Sequence, residues 1–234
     1  MITIRRSKDR GHADNGWLKS HHTFSFASYK DPDQMGFRSL RVINDDWVAP
    51  GRGFGAHAHR DMEILSYVLE GKLAHKDSMG HTEVLGPNEI QKMSAGSGVI
   101  HSEFNGSESE PVHFLQIWIE PATKGTPPAY QQIKFDPEEK QNRFKILASS
   151  KPGAGSVQIN QDAEMAVTEL SPGSEITHSL SPDRAAWLHV ISGSVAVNGE
   201  PLSEGDSAAV QAEQKLQVVC SSPTSAEILL FDLA

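Results

Sequence analysis

The chain carries a copy of part of itself 122 residues downstream. Pro50-Gly51 recurs as Pro172-Gly173. At the same offset, Tyr67-Val-Leu-Glu-Gly71-Lys-Leu-Ala74 recurs as His189-Val-Ile-Ser-Gly193-Ser-Val-Ala196. A turn, an apolar strand and its closing glycine keep register in both copies, which reads as duplication of one β unit.

The rest of the chain fits such a unit. Ile64-Leu-Ser-Tyr-Val-Leu69 is an apolar run of buried-strand length, and Lys72-Leu-Ala-His75 returns from it. His113 to Ile119 alternates, placing Leu115, Ile117 and Ile119 on one face. Asn198-Gly199 is a type I′ hairpin signal. Short strands at close spacing, with 19 glycines and 13 prolines, predict an all-β barrel or sandwich. Residues 121–152 differ. They hold Pro121, Pro127, Pro128, Pro137 and Pro152 and read as a connection, with Asp136 capping a short helix that starts at Pro137. The predicted boundaries are 1–134 for a first barrel, 135–152 for the linker and 153–234 for a second barrel.

Two residue pairs carry the chemistry. Gly51 to Glu63 contains His57-Ala-His59, and Gly98-Val-Ile-His101-Ser-Glu103 follows some way on. Residues i and i+2 of a strand leave the same face. Two facing strands of this kind would aim three imidazoles and one carboxylate at one point. That donor set suits a mononuclear Fe(II), Ni, Co, Mn, Cu or Zn site with open positions. The absence of a nearby thiolate argues against a zinc finger. The offset of 122 maps His57 to Ser179, His59 to Ser181 and Glu63 to Ala185, so the second copy is expected to lack the site.

Charge and composition narrow the partners. The net charge of −9 disfavours direct contact with a nucleic-acid backbone. Arg5, Arg6, Lys8 and Arg10 read as a solvated terminal strand. No apolar stretch is long enough to span a membrane, and the first residues lack a secretory core. The single cysteine, Cys220, excludes an intramolecular disulfide framework, so the expected location is the cytoplasm.

These motifs resemble a known family. Gly51 to Glu63 is similar to the first cupin motif, and Gly98-x-x-His101-x-x-x-Asn105 to the end of the second. Gly16-Trp-Leu18, His22-Thr-Phe-Ser-Phe26, Arg41-Val-Ile-Asn44, His57-Ala-His59-Arg-Asp-Met-Glu63 and Ser94-Ala-Gly-Ser-Gly98 with His101-Ser-Glu103 resemble the pirin family, in particular bacterial pirin-like proteins of the YhhW type. The resemblance implies a bicupin: two facing antiparallel β-barrels (double-stranded β-helices), with metal in the N-terminal one alone. It implies His57, His59, His101 and Glu103 as ligands of one divalent ion, Fe(II) first among the metals named above. It leaves Glu63 as a residue that orients a ligand histidine. It also implies a dioxygenase similar to quercetin 2,3-dioxygenase, which cleaves a flavonol ring with O2 and releases CO. Glu103 is then the catalytic base as well as a ligand. The alternative that the family offers is a metal- or redox-sensing regulator that binds a protein partner.

Overall fold

The computed structural model describes residues 1–153 and 155–234. The chain clusters into two compact units. One comprises Gly11–Phe135 and Lys151–Gln161; the other comprises Met1–Arg10, Asp136–Ser150 and Asp162–Ala234. Each is an antiparallel cupin-type barrel.

In the first barrel the larger sheet runs in the order Ala129–Lys134, Glu89–Ser94, Glu63–Glu70, Val112–Ile119, Leu40–Val48, Leu18–His22, Gly11–Asp14. The smaller sheet runs Gly53–His59, Val99–Asn105, Leu73–Asp77, Thr82–Leu85. The second barrel repeats this plan. Its larger sheet includes Ile2–Arg5, Ser207–Val210, Ala185–Ser192, Ala226–Leu233, Ala163–Leu170 and Lys145–Ser149 in that order. Its smaller sheet runs Glu175–Ser179, Lys215–Cys220, Ser194–Val197, Glu200–Ser203.

The duplication is visible strand by strand. Glu63–Glu70 and Ala185–Ser192 coincide at the offset of 122. The glycines that close them, Gly71 and Gly193, have φ of +78° and +75°. A Cβ at Gly71 would lie 2.4 Å from the Pro111 carbonyl oxygen, and one at Gly193 would lie 2.6 Å from that of Ser225. Both positions therefore require glycine on conformational and steric grounds. The Asn198-Gly199 turn has φ of +46° and +88°, as a type I′ hairpin needs, and joins Ser194–Val197 to Glu200–Ser203.

Three segments depart from the sequence reading. The terminal strand Ile2–Arg5 pairs with Ser207–Val210 and so joins the second unit, whereas residues 151–161 join the first. Strand alternation specifies that a segment pairs, but not with which edge. The connection 121–152 is also more structured than its prolines suggested. It contains the strands Ala129–Lys134 and Lys145–Ser149 around a 3-10 helix, Pro137–Lys140, which Asp136 and Glu139 close with a capping box. The offset mapping of the histidines also changes. His57 lies opposite His101, and the register then skips one residue, so that Glu103 lies opposite Phe54. The second barrel lacks that bulge: His178 faces Leu216 and Ile176 faces Val218. His178, not Ser179, is thus the counterpart of His57, and Leu180 that of His59.

Candidate metal centre

The site lies on the inner face of the smaller sheet of the first barrel. His57 and His59 sit on the edge strand Gly53–His59, and His101 and Glu103 on the neighbouring Val99–Asn105. The i, i+2 spacing turns each pair to one face, and the antiparallel register sets His57 directly across from His101. Ring centroids lie 4.8 Å apart for His57 and His59, 4.4 Å for His57 and His101, and 4.9 Å for His59 and His101. One nitrogen from each ring lies within 4.8 Å of those of the other two.

Proton placement follows from the hydrogen bonds. The Gly55 carbonyl can only accept, so His57 Nδ1, 2.8 Å away, carries the proton and donates it. His57 Nε2 is left with its lone pair, 3.0 Å from His101 Nε2. The other nitrogen of His101 is buried without a protein partner. Burial, with the neighbouring imidazoles, pushes the His59 pKa down to about 4 and the His101 pKa down to about 3. Both rings are neutral near pH 7, as metal ligation requires.

Glu103 is 2% exposed. Burial raises its pKa to about 7, against the opposing hydrogen bonds of Ser66 and Gln116. Gln116 Nε2 donates to Glu103 Oε2 at 2.9 Å, while Ser66 Oγ lies 2.8 Å from Gln116 Oε1 and 3.2 Å from Glu103 Oε1. One hydroxyl hydrogen cannot serve both of its neighbours. When it goes to Gln116, the remaining contact needs a proton on Glu103, and the three groups close a ring of hydrogen bonds. With Glu103 ionised, Ser66 can turn to it instead. The carboxyl is therefore housed in both protonation states.

A second grouping shares two of these residues. His75, His101 and Glu103 also bring one ligand atom each within 4.8 Å of the others, and all three are buried. His75 lies opposite Glu103 on the next strand and is held by Asp77 at 3.1 Å and Gln91 at 3.1 Å. Sequence reading left out His75, Ser66, Gln116 and Gln91. A signal was present: Ser66 interrupts an apolar run, and Gln116 shares parity with Phe114 and Trp118 rather than with Leu115 and Ile117.

Glu63 has another task. Strand parity puts it on the face of Glu63–Glu70 opposite Ser66. Its carboxylate accepts from Ser94 Oγ at 2.8 Å and Asn160 Nδ2 at 3.0 Å, and Lys92 Nζ donates to Ser94 at 2.9 Å. Among the described residues these are its hydrogen-bond partners, so the expected bond to a ligand histidine is not formed.

Among the described residues His57, His59 and His101 form one grouping that fits a divalent ion, whereas Glu103 groups with His75 and His101 and not with His57 or His59. Neutral imidazoles with converging lone pairs and an adjacent buried carboxylate are the donors that a borderline metal takes. Outside His59 lies a cleft of about 410 Å³, lined by Ala58, Arg60, Ser78, Gly98, Val99 and Ile100.

Comparison with known proteins identifies the family. A family model described as Pirin matches residues 3–119, and one described as Quercetinase C-terminal cupin domain matches residues 146–233. The quercetin 2,3-dioxygenase of Escherichia coli K12 is 45% identical over 100% of this chain and 99% of its own length. A pirin-like protein of Caulobacter vibrioides is 40% identical, with both chains fully covered. The crystal structure of the bacterial pirin YhhW from Escherichia coli in complex with nickel(II) superposes with a TM-score of 0.94 at 44% identity, covering 100% of this chain and 99% of that one. The chain belongs to the pirin family of bicupin proteins.

Proposed function

We propose that His57, His59, His101 and Glu103 hold one divalent ion, Fe(II) or a neighbouring metal such as Ni. We further propose that the chain cleaves a flavonol oxygenolytically, as quercetin 2,3-dioxygenases do. The observation that carries this reading is the convergence of three imidazoles, with the buried Glu103 carboxyl near that of His101. In the reaction, one flavonol and one O2 give one depside and one CO, so no further oxidant or reductant is needed. The bound ion would supply Lewis acidity toward the flavonol 3-oxygen and a centre at which O2 can react.

The chain's own groups account for the remainder. Glu103, a buried carboxyl on the strand that carries His101, is the group offered to accept the 3-hydroxyl proton as a general base. Ser66 and Gln116 keep that carboxyl hydrogen-bonded before and after the transfer. The cleft beside His59 offers the exposed Ile100 side chain to a flat ring, with Arg60 and Ser78 for its phenolic oxygens. Its volume lies within the roughly 300–1,000 Å³ typical of small-molecule sites. Trp118, whose ring lies edge-on to His59 at 5.0 Å, walls the inner side. A cytoplasmic location belongs to the same reading and rests on the single buried cysteine.

The test is metal analysis of the purified protein, then oxygen uptake and CO release with quercetin after loading with each metal. Metal-dependent uptake that His57→Ala abolishes supports the reading. No turnover with any metal would sink it.

A further inference from the structure

The interior of the first barrel is crossed by a row of buried polar side chains. His22, Asn44, Gln116, Ser66 and Gln91 lie directly opposite one another on five successive strands. Apolar side chains flank it on both sides, joined on one by the buried Asp46 and Ser20. Trp118, Ile64 and Met93 pack at one end of the barrel, and Phe114 and Val68 at the other. Burying polar groups in this way is costly unless each is partnered.

The second barrel shows that the fold does not need the row. By register, Asn44, Gln116, Ser66 and Gln91 correspond to Ala166, Leu230, Leu188 and Ala208. Opposite them, His101, Glu103 and His75 correspond to Leu216, Val218 and Val197. All of these replacements are apolar and buried, and most belong to one continuous core cluster. The same strands thus close a barrel on leucine, valine and alanine. The polar row and three of the four proposed ligands are present in one copy and lost from the other, where His178 alone keeps a ligand position.

We propose that Gln116 and Ser66 are positioning residues for Glu103: they fix the orientation of its carboxylate toward the metal and so set metal affinity. The inference rests on the reading of Glu103 as a ligand. Each Glu103 oxygen has one member of the pair within hydrogen-bond distance, and the pair is itself bonded at 2.8 Å. The Glu103 side chain is thereby tied to two strands of the opposite sheet.

The test borrows the second barrel's residues. Gln116→Leu and Ser66→Ala are prepared without metal, checked by circular dichroism and thermal melting, and titrated with Ni(II) by calorimetry. The Co(II)-loaded forms are compared by ligand-field absorption. The expected result is roughly 10–100-fold weaker Ni(II) binding in each variant, the usual effect of losing such a supporting hydrogen bond. It should come with shifted Co(II) bands, and Ser66→Thr, which keeps the hydroxyl, should bind like the parent. Should Gln116→Leu fail to fold, Ser66→Ala and its threonine rescue decide the matter. Parental affinity and unchanged Co(II) bands in the folded variants would overturn this inference alone. A parent chain that binds Ni(II) but turns over no flavonol would overturn the enzymatic reading and leave this one standing. A parent chain that binds neither ion would overturn both.

Discussion

His57 Nε2 and His101 Nε2 face each other at 3.0 Å across directly paired residues, and the Gly55 carbonyl keeps the His57 proton on the far side of its ring. Two imidazoles meeting in this way leave lone-pair capacity that a cation can use. Replacing any of His57, His59 or His101 with alanine should weaken Ni(II) binding by about two orders of magnitude or more. The fold should survive, because the corresponding strands of the second barrel carry Leu180 and Leu216 at two of these positions. Equilibrium dialysis of each variant, beside its melting curve, checks both halves of this expectation.

Glu103→Gln separates ligation from proton transfer. Glutamine keeps the size of the side chain and can still bond to Ser66, but it offers no carboxylate. Flavonol turnover should fall by roughly 10²–10⁴-fold, the usual contribution of a general base, while metal occupancy at saturating concentration is retained. Steady-state oxygen uptake at fixed occupancy is the measurement. Unchanged turnover would remove Glu103 from the reaction.

Glu63 is a structural residue by its contacts. Glu63→Leu would leave Lys92, which is 3% exposed, without its nearby countercharge and Ser94 without its acceptor. Leaving a buried polar group without its partner costs about 1–3 kcal/mol. The expected outcome is a marked drop in melting temperature with unchanged Ni(II) stoichiometry. Loss of the metal at full stability would instead place Glu63 in the metal site.

Much of this was legible in the sequence, for identifiable reasons. The i, i+2 spacing of His57/His59 and His101/Glu103 needs only the strand period to put each pair on one face. Gly71 and Gly193 mark a backbone geometry that no other residue adopts cheaply. The bulge opposite His101 was not legible, because one extra residue on an edge strand leaves no local signature, and it moved the counterpart of His57 from Ser179 to His178. Nor was the partner of Ile2–Arg5, since strand pairing at a distance depends on the assembled edge. Ser66 and Gln116 were hidden for a different reason: each is a single polar residue in an apolar run. Its meaning appears only when the neighbouring strands are set in register.

His178 has a new partner in the second barrel. Its Nε2 lies 2.7 Å from Asp232, which Arg184 also binds. Burial opposes ionisation of Asp232, but the bonds from His178 and Arg184 outweigh it and hold its pKa below the ordinary value. A group depressed in this way stabilises the fold fully above its unfolded pKa of about 4. The contribution fades as pH falls through the lower, folded value. Asp232→Asn should cost roughly 2 kcal/mol at pH 7 and progressively less below pH 4. Urea melts of both proteins between pH 3 and pH 7 give the comparison. Parallel stability curves would contradict it.

The central claim concerns what the three histidines and Glu103 do together. Its most direct test is simultaneous measurement of O2 consumed and CO released on adding quercetin to protein loaded with a single metal. The account predicts one CO per O2, loss of the flavonol absorbance at the same rate, and neither in His57→Ala. Metal bound at one equivalent with no CO from any flavonol would contradict it.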